Sequence, residues 1–570
     1  MKSAFRALLL CAVAIPFVAP ATLEAQEPAP IESGLRAGPD RYLDGVDALH
    51  YDIELAISDR AQWIWGTTGI RLVAEEDGIT QVRLDFTGME VLNATASVAG
   101  AAPVRVTTTA QAGILTVPFG SPARTGDQIQ LQIEYRGTPD DGLLLQETVE
   151  GRRAAFVDNW PNRTRFWVPT IDHPSDKATV RFTVHAPARW EVIANGRLIG
   201  QPISSGTPPA TWPPADEFRT WNYSSDVPHP TYTMVIGATE MVIQDLGLAA
   251  CGLAPASPRP DGCVEVSQWL YPGSVESGSP NFRRATEMLD FFADIVGPFP
   301  YEKLAHVQSS TRFGGMENSS AIFYSEQGLA SGRDMEGTVS HETAHQWFGD
   351  SVTEGDWGHL WLSEGFATYF GALFFLYAEG PEDFASRIEG TAQTYLNSAD
   401  TLSPAVDMST PNLFDMLNRN SYQKGGMVLH MLRGQVGDDI FFAGIRDYYE
   451  TYRDSTALTS DLQRVMEEAS GQDLEWFFNQ WLFEPGYPVL RAEQSAGAAG
   501  GLQLNLHQVQ GNYAPRFRLP LTIEFRFNGT SVREEVLMDG ASASWFFSEV
   551  PGDAEVVVDP DGWILKRVVR

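Results

Sequence analysis

The sequence predicts a multidomain α+β protein in three parts: an N-terminal antiparallel β domain, a mostly helical central domain and a small C-terminal β-sandwich. Three observations predict it. Apolar residues alternate at period two from about Leu43 to Glu240, recur at helical spacing from about Asn281, and return to period two after Gly486-Tyr487-Pro488. At 570 residues and 43% hydrophobic content, the chain is long enough for three or four globular domains. The limits expected are 43–245, 246–486 and 487–570, preceded by a segment 1–25 of a different kind.

That first segment carries Lys2 and Arg6, an apolar run from Ala7 to Ala19, and Leu23-Glu24-Ala25 before Gln26. It reads as a secretory signal peptide with cleavage near Ala25, so the expected location is periplasmic or extracellular. No later stretch approaches a membrane span. Removing the signal removes Cys11 and leaves Cys251 and Cys263, which flank the Pro- and Gly-containing stretch Gly252 to Gly262. In an oxidising compartment these two are expected to form a disulfide that clips the loop.

In the β domain, Tyr51, Ile53, Leu55 and Ile57, then Ile129, Leu131, Ile133 and Tyr135, then Val180, Phe182 and Val184 mark strands with one buried face. Helices follow, the first with Ala285, Met288, Leu289, Phe292 and Ile295 on one side and Gly297-Pro298 as its stop. Others are expected at Gly426 to Arg433, after a capping box of Ser460 with Gln463, and after Asp473. In the last domain, Leu502, Leu504 and Leu506, then Leu521, Ile523, Phe525 and Phe527, alternate at period two, with Asn528-Gly529 as a hairpin turn.

Charge narrows the partners. Forty Lys and Arg stand against 73 Asp and Glu, a formal net charge of −33. Nucleic acid and anionic membrane surfaces are therefore poor partners on electrostatic grounds.

The chemistry lies in His341-Glu342-Thr343-Ala344-His345, separated by eighteen residues from Glu364. One helical turn is 3.6 residues, so His341 and His345 project from the same face and can hold one ion. Glu342 is rotated by about 100° from His341 and can reach a water beside that ion without ligating it. A catalytic zinc takes three protein ligands and keeps a fourth position open, and Glu364 completes the set. Val339, Ala344, Trp347 and Phe348 give the motif an apolar, interior setting.

Further motifs accompany it. Gly314-Gly315-Met316-Glu317-Asn318, Trp347-Phe348-Gly349-Asp350, Trp361-Leu362-Ser363-Glu364-Gly365 and Tyr422-Gln423-Lys424-Gly425 occur in that order, with Pro169 to Ala178 upstream and Phe477-Phe478-Asn479-Gln480-Trp481 downstream. On these residues the chain resembles the aminopeptidase N-like family of zinc metallopeptidases, which also includes leukotriene hydrolases. The resemblance implies a saddle-shaped β domain, a thermolysin-like catalytic domain and one Zn2+ per chain. It implies Glu342 as general base, Tyr422 as an oxyanion donor, and Gly314, Gly315, Met316, Glu317 and Asn318 as substrate-binding, with Glu317 pairing with the free α-ammonium of a peptide.

One departure stands out. The family's second amine anchor, a Gln or Glu ahead of the Asp-x-Pro segment, aligns with Trp160, which leaves two readings: Asp158 or Asn159 replaces it, or the segment is an ordinary turn and amine binding rests on Glu317. Family members often continue into a large helical domain, for which a chain ending at Arg570 has no room, and a site open to longer substrates is expected. Three functions remain open: an exported zinc aminopeptidase, a zinc hydrolase of the same fold with endopeptidase or epoxide-hydrolase activity, and a non-catalytic binding scaffold.

Overall fold

Strand β1 (Val46–Ala56) pairs antiparallel with β2 (Ile64–Ala74), which pairs antiparallel with β3 (Gln128–Gly137). The computed structural model describes residues 45–204, 209–497 and 500–569; the signal segment expected at 1–25, with Cys11, lies outside them. Inward residues of β1 follow the predicted alternation, with Tyr51, Ile53 and Leu55 all buried. On its other side β1 pairs in parallel with β4 (Lys177–Pro187), Tyr51 opposite Val180 and Leu55 opposite Val184. The sheet is therefore mixed, because period-two alternation gives the buried face of a strand but not the direction of its neighbour.

A smaller four-stranded sheet contains Arg153–Val157 and carries the N-terminal domain against the catalytic one. The ring of Phe156 meets that of Phe323 at 5.5 Å, edge to face. Lys177, at the start of β4, donates to the carbonyls of Asp350 at 2.9 Å, Ser351 at 2.7 Å and Ser455 at 3.2 Å. Burial holds this ammonium down at about 8 against the pull of Asp454, Asp350 and Glu354.

The catalytic domain opens on a five-stranded sheet in the order β5 (Val242–Ala249), β6 (Val264–Leu270), β7 (Leu304–Ser309), β9 (Ala321–Ser325) and β8 (Gly315–Met316). The domain limit expected between 245 and 246 falls inside β5, which is hydrogen-bonded to β6 from Val242 onward, so this domain already includes Val242. Cys251 and Cys263 are joined, S–S 2.08 Å, across the β5–β6 loop.

Helix α1 (Ala285–Ile295) buries Met288, Leu289 and Phe292, and the chain turns at Gly297, whose φ of +145° suits glycine. Beyond it lie α2 (Glu336–His345), α3 (Trp361–Ala378), α4 (Pro381–Leu396) and α5 (Gly425–Val436). α3 is apolar on every side and runs through the core. The helix Thr459–Ser470 starts two residues earlier than the capping box predicts: Asp461 accepts from the Leu458 N–H at 2.8 Å, while Gln463 donates to Glu467.

After residue 486 come a four-stranded sheet with Leu502–Gln508 at its centre and a three-stranded sheet around Arg518–Phe527. Leu502, Leu504, Leu506, Leu521, Ile523 and Phe525 are fully buried, and Phe525 meets Phe547 of the other sheet at 4.6 Å. Asn528 and Gly529, at φ +50° and +75°, make the predicted turn. No helix among the described residues is long and apolar enough to cross a membrane.

Candidate metal centre and substrate cleft

α2 presents His341 and His345 one turn apart, and α3 presents Glu364 in its first turn. The three donor groups converge. Nε2 of His341 lies 3.1 Å from Nε2 of His345, and Oε2 of Glu364 lies 3.3 Å from each. Nδ1 of His345 is 2.9 Å from the Phe348 carbonyl, which can only accept, so that nitrogen donates and Nε2 is left with its lone pair. Oε2 of Glu364 is buried without a hydrogen-bond partner. A buried, unpartnered carboxylate oxygen facing two imidazole nitrogens fits a divalent cation with nitrogen and oxygen ligands, as zinc is.

Two close approaches set this geometry. A Cβ on Gly371 of α3 would lie 3.2 Å from the backbone of His341, so the glycine lets α3 press against the histidine-bearing turn. A Cβ on Gly365 would lie 2.8 Å from the backbone of Gly425, so α3 and α5 touch backbone to backbone beside Glu364. That contact brings in Tyr422, on the π-helical turn Asn420–Lys424 leading into α5. Its hydroxyl donates to Oε1 of Glu364 at 2.8 Å, and its ring stacks on His341 with centroids 6.0 Å apart. Oε1 is thereby occupied and Oε2 left for the ion.

Glu342 lies on the open side. Its carboxylate abuts the Gly315 backbone so closely that a Cβ there would be 2.2 Å from Oε1. Burial lifts the Glu342 carboxyl well above its ordinary range; His345 opposes this, and Glu317 and Glu364 add to it. Glu317, buried just past β8, is pushed up to about 7, chiefly by burial, with His345 opposing and Glu364 adding. For Glu364 burial also pushes upward, but the two histidines outweigh it and hold the group at about 2. Gln346 fixes Glu317 in place, donating to its carbonyl at 2.7 Å and to Asp350 Oδ2 at 2.8 Å.

These groups share a cleft of about 670 Å³ lined by Gly314, Gly315, Met316, Glu317, His341, Glu342, His345, Glu364 and Tyr422. Asn318 does not line it; its side chain is buried beneath, next in the chain after Glu317. Asp158 and Asn159 do not line it either, which corrects the expectation that one of them replaces the second amine anchor. Asp158 is buried and accepts from Arg163 at 2.6 Å and Arg312 at 2.9 Å. Asn159 donates to the carbonyls of Thr231 and Met234 and accepts from the Trp167 ring nitrogen. Trp160 itself forms the wall, edge to face with Phe313, Trp357 and Phe414. Phe313, Thr338, Phe375 and Arg387 also line the cleft, at positions that no motif in the sequence marks.

The chain matches the Peptidase M1 N-terminal domain over residues 47–233 and the Peptidase family M1 domain over residues 281–481, together more than half its length. It is 24% identical over 461 residues to probable aminopeptidase 1 of Sulfurisphaera tokodaii, covering 76% of this chain and 54% of that protein. It is 24% identical over 542 residues to leucyl aminopeptidase of Saccharolobus solfataricus, covering 91% and 63%. To aminopeptidase N of Rattus norvegicus it is 26% identical over 407 residues, covering 65% and 40%. The chain thus spans about half the length of the curated relatives it matches. Among solved structures, an M1 zinc metallopeptidase from Deinococcus radiodurans is 25% identical with a TM-score of 0.63, over 78% of this chain and 95% of that one. A two-domain M1 zinc metallopeptidase bound to L-tryptophan shares the fold, with a TM-score of 0.66 at 24% identity over 78% of this chain and 96% of that one. One family's two models, covering the β-rich half and the metal-ligand half in turn, join what the geometry had already brought together, and the chain belongs to peptidase family M1.

Proposed function

We propose that this protein is an exported zinc aminopeptidase that removes the N-terminal residue from peptides. The observation that carries the reading is the convergence of His341, His345 and the unpartnered Oε2 of Glu364 beside two further buried carboxylates, Glu342 and Glu317, in one cleft. His341, His345 and Glu364 would hold the zinc, one per chain, since the alternative grouping of Glu317, Glu342 and His345 shares a histidine with it. Bound there, zinc supplies a Lewis acid and brings the acidity of a water molecule to near neutrality.

The chain's own residues do the rest. Glu342 takes the proton of the attacking water and passes it to the leaving amine, a role its raised proton affinity suits. Glu317 pairs with the α-ammonium and thereby fixes the scissile bond one residue in. Its burial makes that pairing strong, because few other groups compete for the charge. Tyr422 swings its hydroxyl from Glu364 to the developing oxyanion. The glycine pair at 314 and 315 lets the substrate backbone lie close to edge strand β8, which is hydrogen-bonded on one side only.

Export rests on the charged and apolar N-terminal run and on the Cys251–Cys263 bond, which persists in oxidising compartments. The two sheets after residue 486 we read as a β-sandwich domain. The test is a panel of free and N-acetylated aminoacyl substrates with and without a zinc chelator. Chelator-sensitive cleavage confined to the free forms is expected; equal cleavage of acetylated peptides would point to an endopeptidase, and no chelator effect would remove the metal from the reaction.

A further inference from the structure

The cleft has a second charged end that the chemistry above leaves unused. Glu317 sits at the His345 end of α2, where Gln346 holds it. A peptide anchored there and presenting its first carbonyl beside Glu342 must run past His341 toward the start of α2, where Gly337 and Thr338 line the cleft. Facing them is Arg387 of α4. A Cβ on Gly337 would lie 3.9 Å from Arg387 Nη1.

Three carboxylates line the cleft, Glu317, Glu342 and Glu364, and Arg387 is the one Lys or Arg among the described residues that does. Its guanidinium is held in place at the back: the carbon lies 3.6 Å from the centre of the Phe375 ring, and Nε donates to Asp383 one turn earlier on α4. Among the described residues neither Nη group has a hydrogen-bond acceptor. The side chain is 38% exposed, so solvent or substrate reaches it. Thr391 and Thr394 stand beside it, and Gly390 leaves the space next to them open.

The distance sets which part of a substrate arrives. Gly337 precedes His341 by one turn, about 6 Å along the axis, and an extended peptide advances about 3.3–3.6 Å per residue. The group reaching Arg387 therefore belongs to the first or second residue beyond the scissile bond. We propose that Arg387 binds a carboxylate of the substrate there, a C-terminal carboxylate or an acidic side chain, and so biases the enzyme toward short or acidic peptides.

The proposal rests on the aminopeptidase reading, and a separate arm tests that reading: cleavage of aminoacyl anilides by the native protein involves no substrate carboxylate. On the full chain, kcat/KM is compared for a tripeptide, its C-terminal amide, and tripeptide amides carrying Asp or Asn in the second or third position. A preference of about 5- to 20-fold for the carboxylate-bearing member is expected, mainly in KM, the scale of a charge-assisted hydrogen bond at a partly exposed group. Arg387→Gln is expected to bring the ratio to within about twofold of one, and Arg387→Lys to keep part of it. Loss of the acid-over-amide ratio assigns the terminal carboxylate; loss of the Asp-over-Asn ratio assigns the side chain. Native ratios of one in both comparisons, or ratios that survive Arg387→Gln, overturn the proposal. Should Arg387→Gln fail to fold, the native ratios and the relative inhibition by a dipeptide and its amide decide it.

Discussion

Gly315→Ala isolates the placement of Glu342, the proposed general base. Gly315 does not occupy the left-handed region, so its backbone tolerates alanine. The new methyl would lie 2.2 Å from Oε1 of Glu342, 2.5 Å from its Cδ and 2.7 Å from its Cγ. Ordinary contact begins near 3.5 Å, so the carboxylate must retreat by more than about 1 Å. It can do so by rotating its own side chain, leaving His341, His345 and Glu364 where they are. A misplacement of about 1 Å at a reacting group costs on the order of 100-fold in rate, or about 2.7 kcal/mol in the barrier. The assay is kcat on an aminoacyl anilide, with zinc content by elemental analysis and thermal unfolding as controls. A roughly 100-fold lower kcat at unchanged zinc content and a Tm within a few degrees of the native value is expected. A kcat within threefold of native would refute the placement of Glu342 against this strand.

Tyr422→Phe removes the hydroxyl that donates to Glu364, and kcat is expected to fall by about 10²–10³ while zinc remains measurable in the protein; an unchanged kcat ends its assignment as oxyanion donor. Asp158→Asn is expected to cost about 3–5 kcal/mol in urea unfolding, because Arg163 is buried against that carboxylate, with KM changed less than about twofold; a tenfold rise in KM at native stability would restore Asp158 as an amine anchor. His229 and His306 are buried and held neutral, chiefly by burial, at about 3, and His430 at about 4. Their folded values lie below the ordinary 6.5, so the unfolded chain takes up protons first, and the stability present above pH 6.5 is lost as pH falls toward 3–4. Between pH 7 and 5 each contributes a loss of about 2 kcal/mol, and His306→Gln should flatten the urea-measured profile by that amount; an unaltered slope refutes it.

The metal centre was legible because its chemistry is local: His341 and His345 need only one helical turn, and Glu364 needs only a second helix to pack beside the first. Strand faces such as Tyr51, Ile53 and Leu55 were legible for the same reason, since alternation is written residue by residue. What failed was pairing over distance. Nothing near Val46–Ala56 indicates that Lys177–Pro187 runs parallel to it, and nothing near Gln244 indicates that its strand joins the catalytic sheet. Asp158 stood as a candidate amine anchor because Arg312, its partner across 154 residues, cannot be found by spacing. Gly365 and Gly425 sat inside motifs noted for other reasons, yet the contact between them, which brings Tyr422 to Glu364, exists only in the folded chain. Arg387 carries no motif of its own, and only the fold sets Phe375 and Gly337 around it.

Lys177 closes three carbonyls immediately beyond the histidine-bearing helix, at Asp350 and Ser351, and across to Ser455. Excising the β half to obtain a minimal peptidase would strip that clasp and bare its acceptors, so a truncated catalytic fragment should yield insoluble or inactive material. Engineers wishing to graft this active site elsewhere would have to carry the lysine along with it, or supply another cation in the same niche.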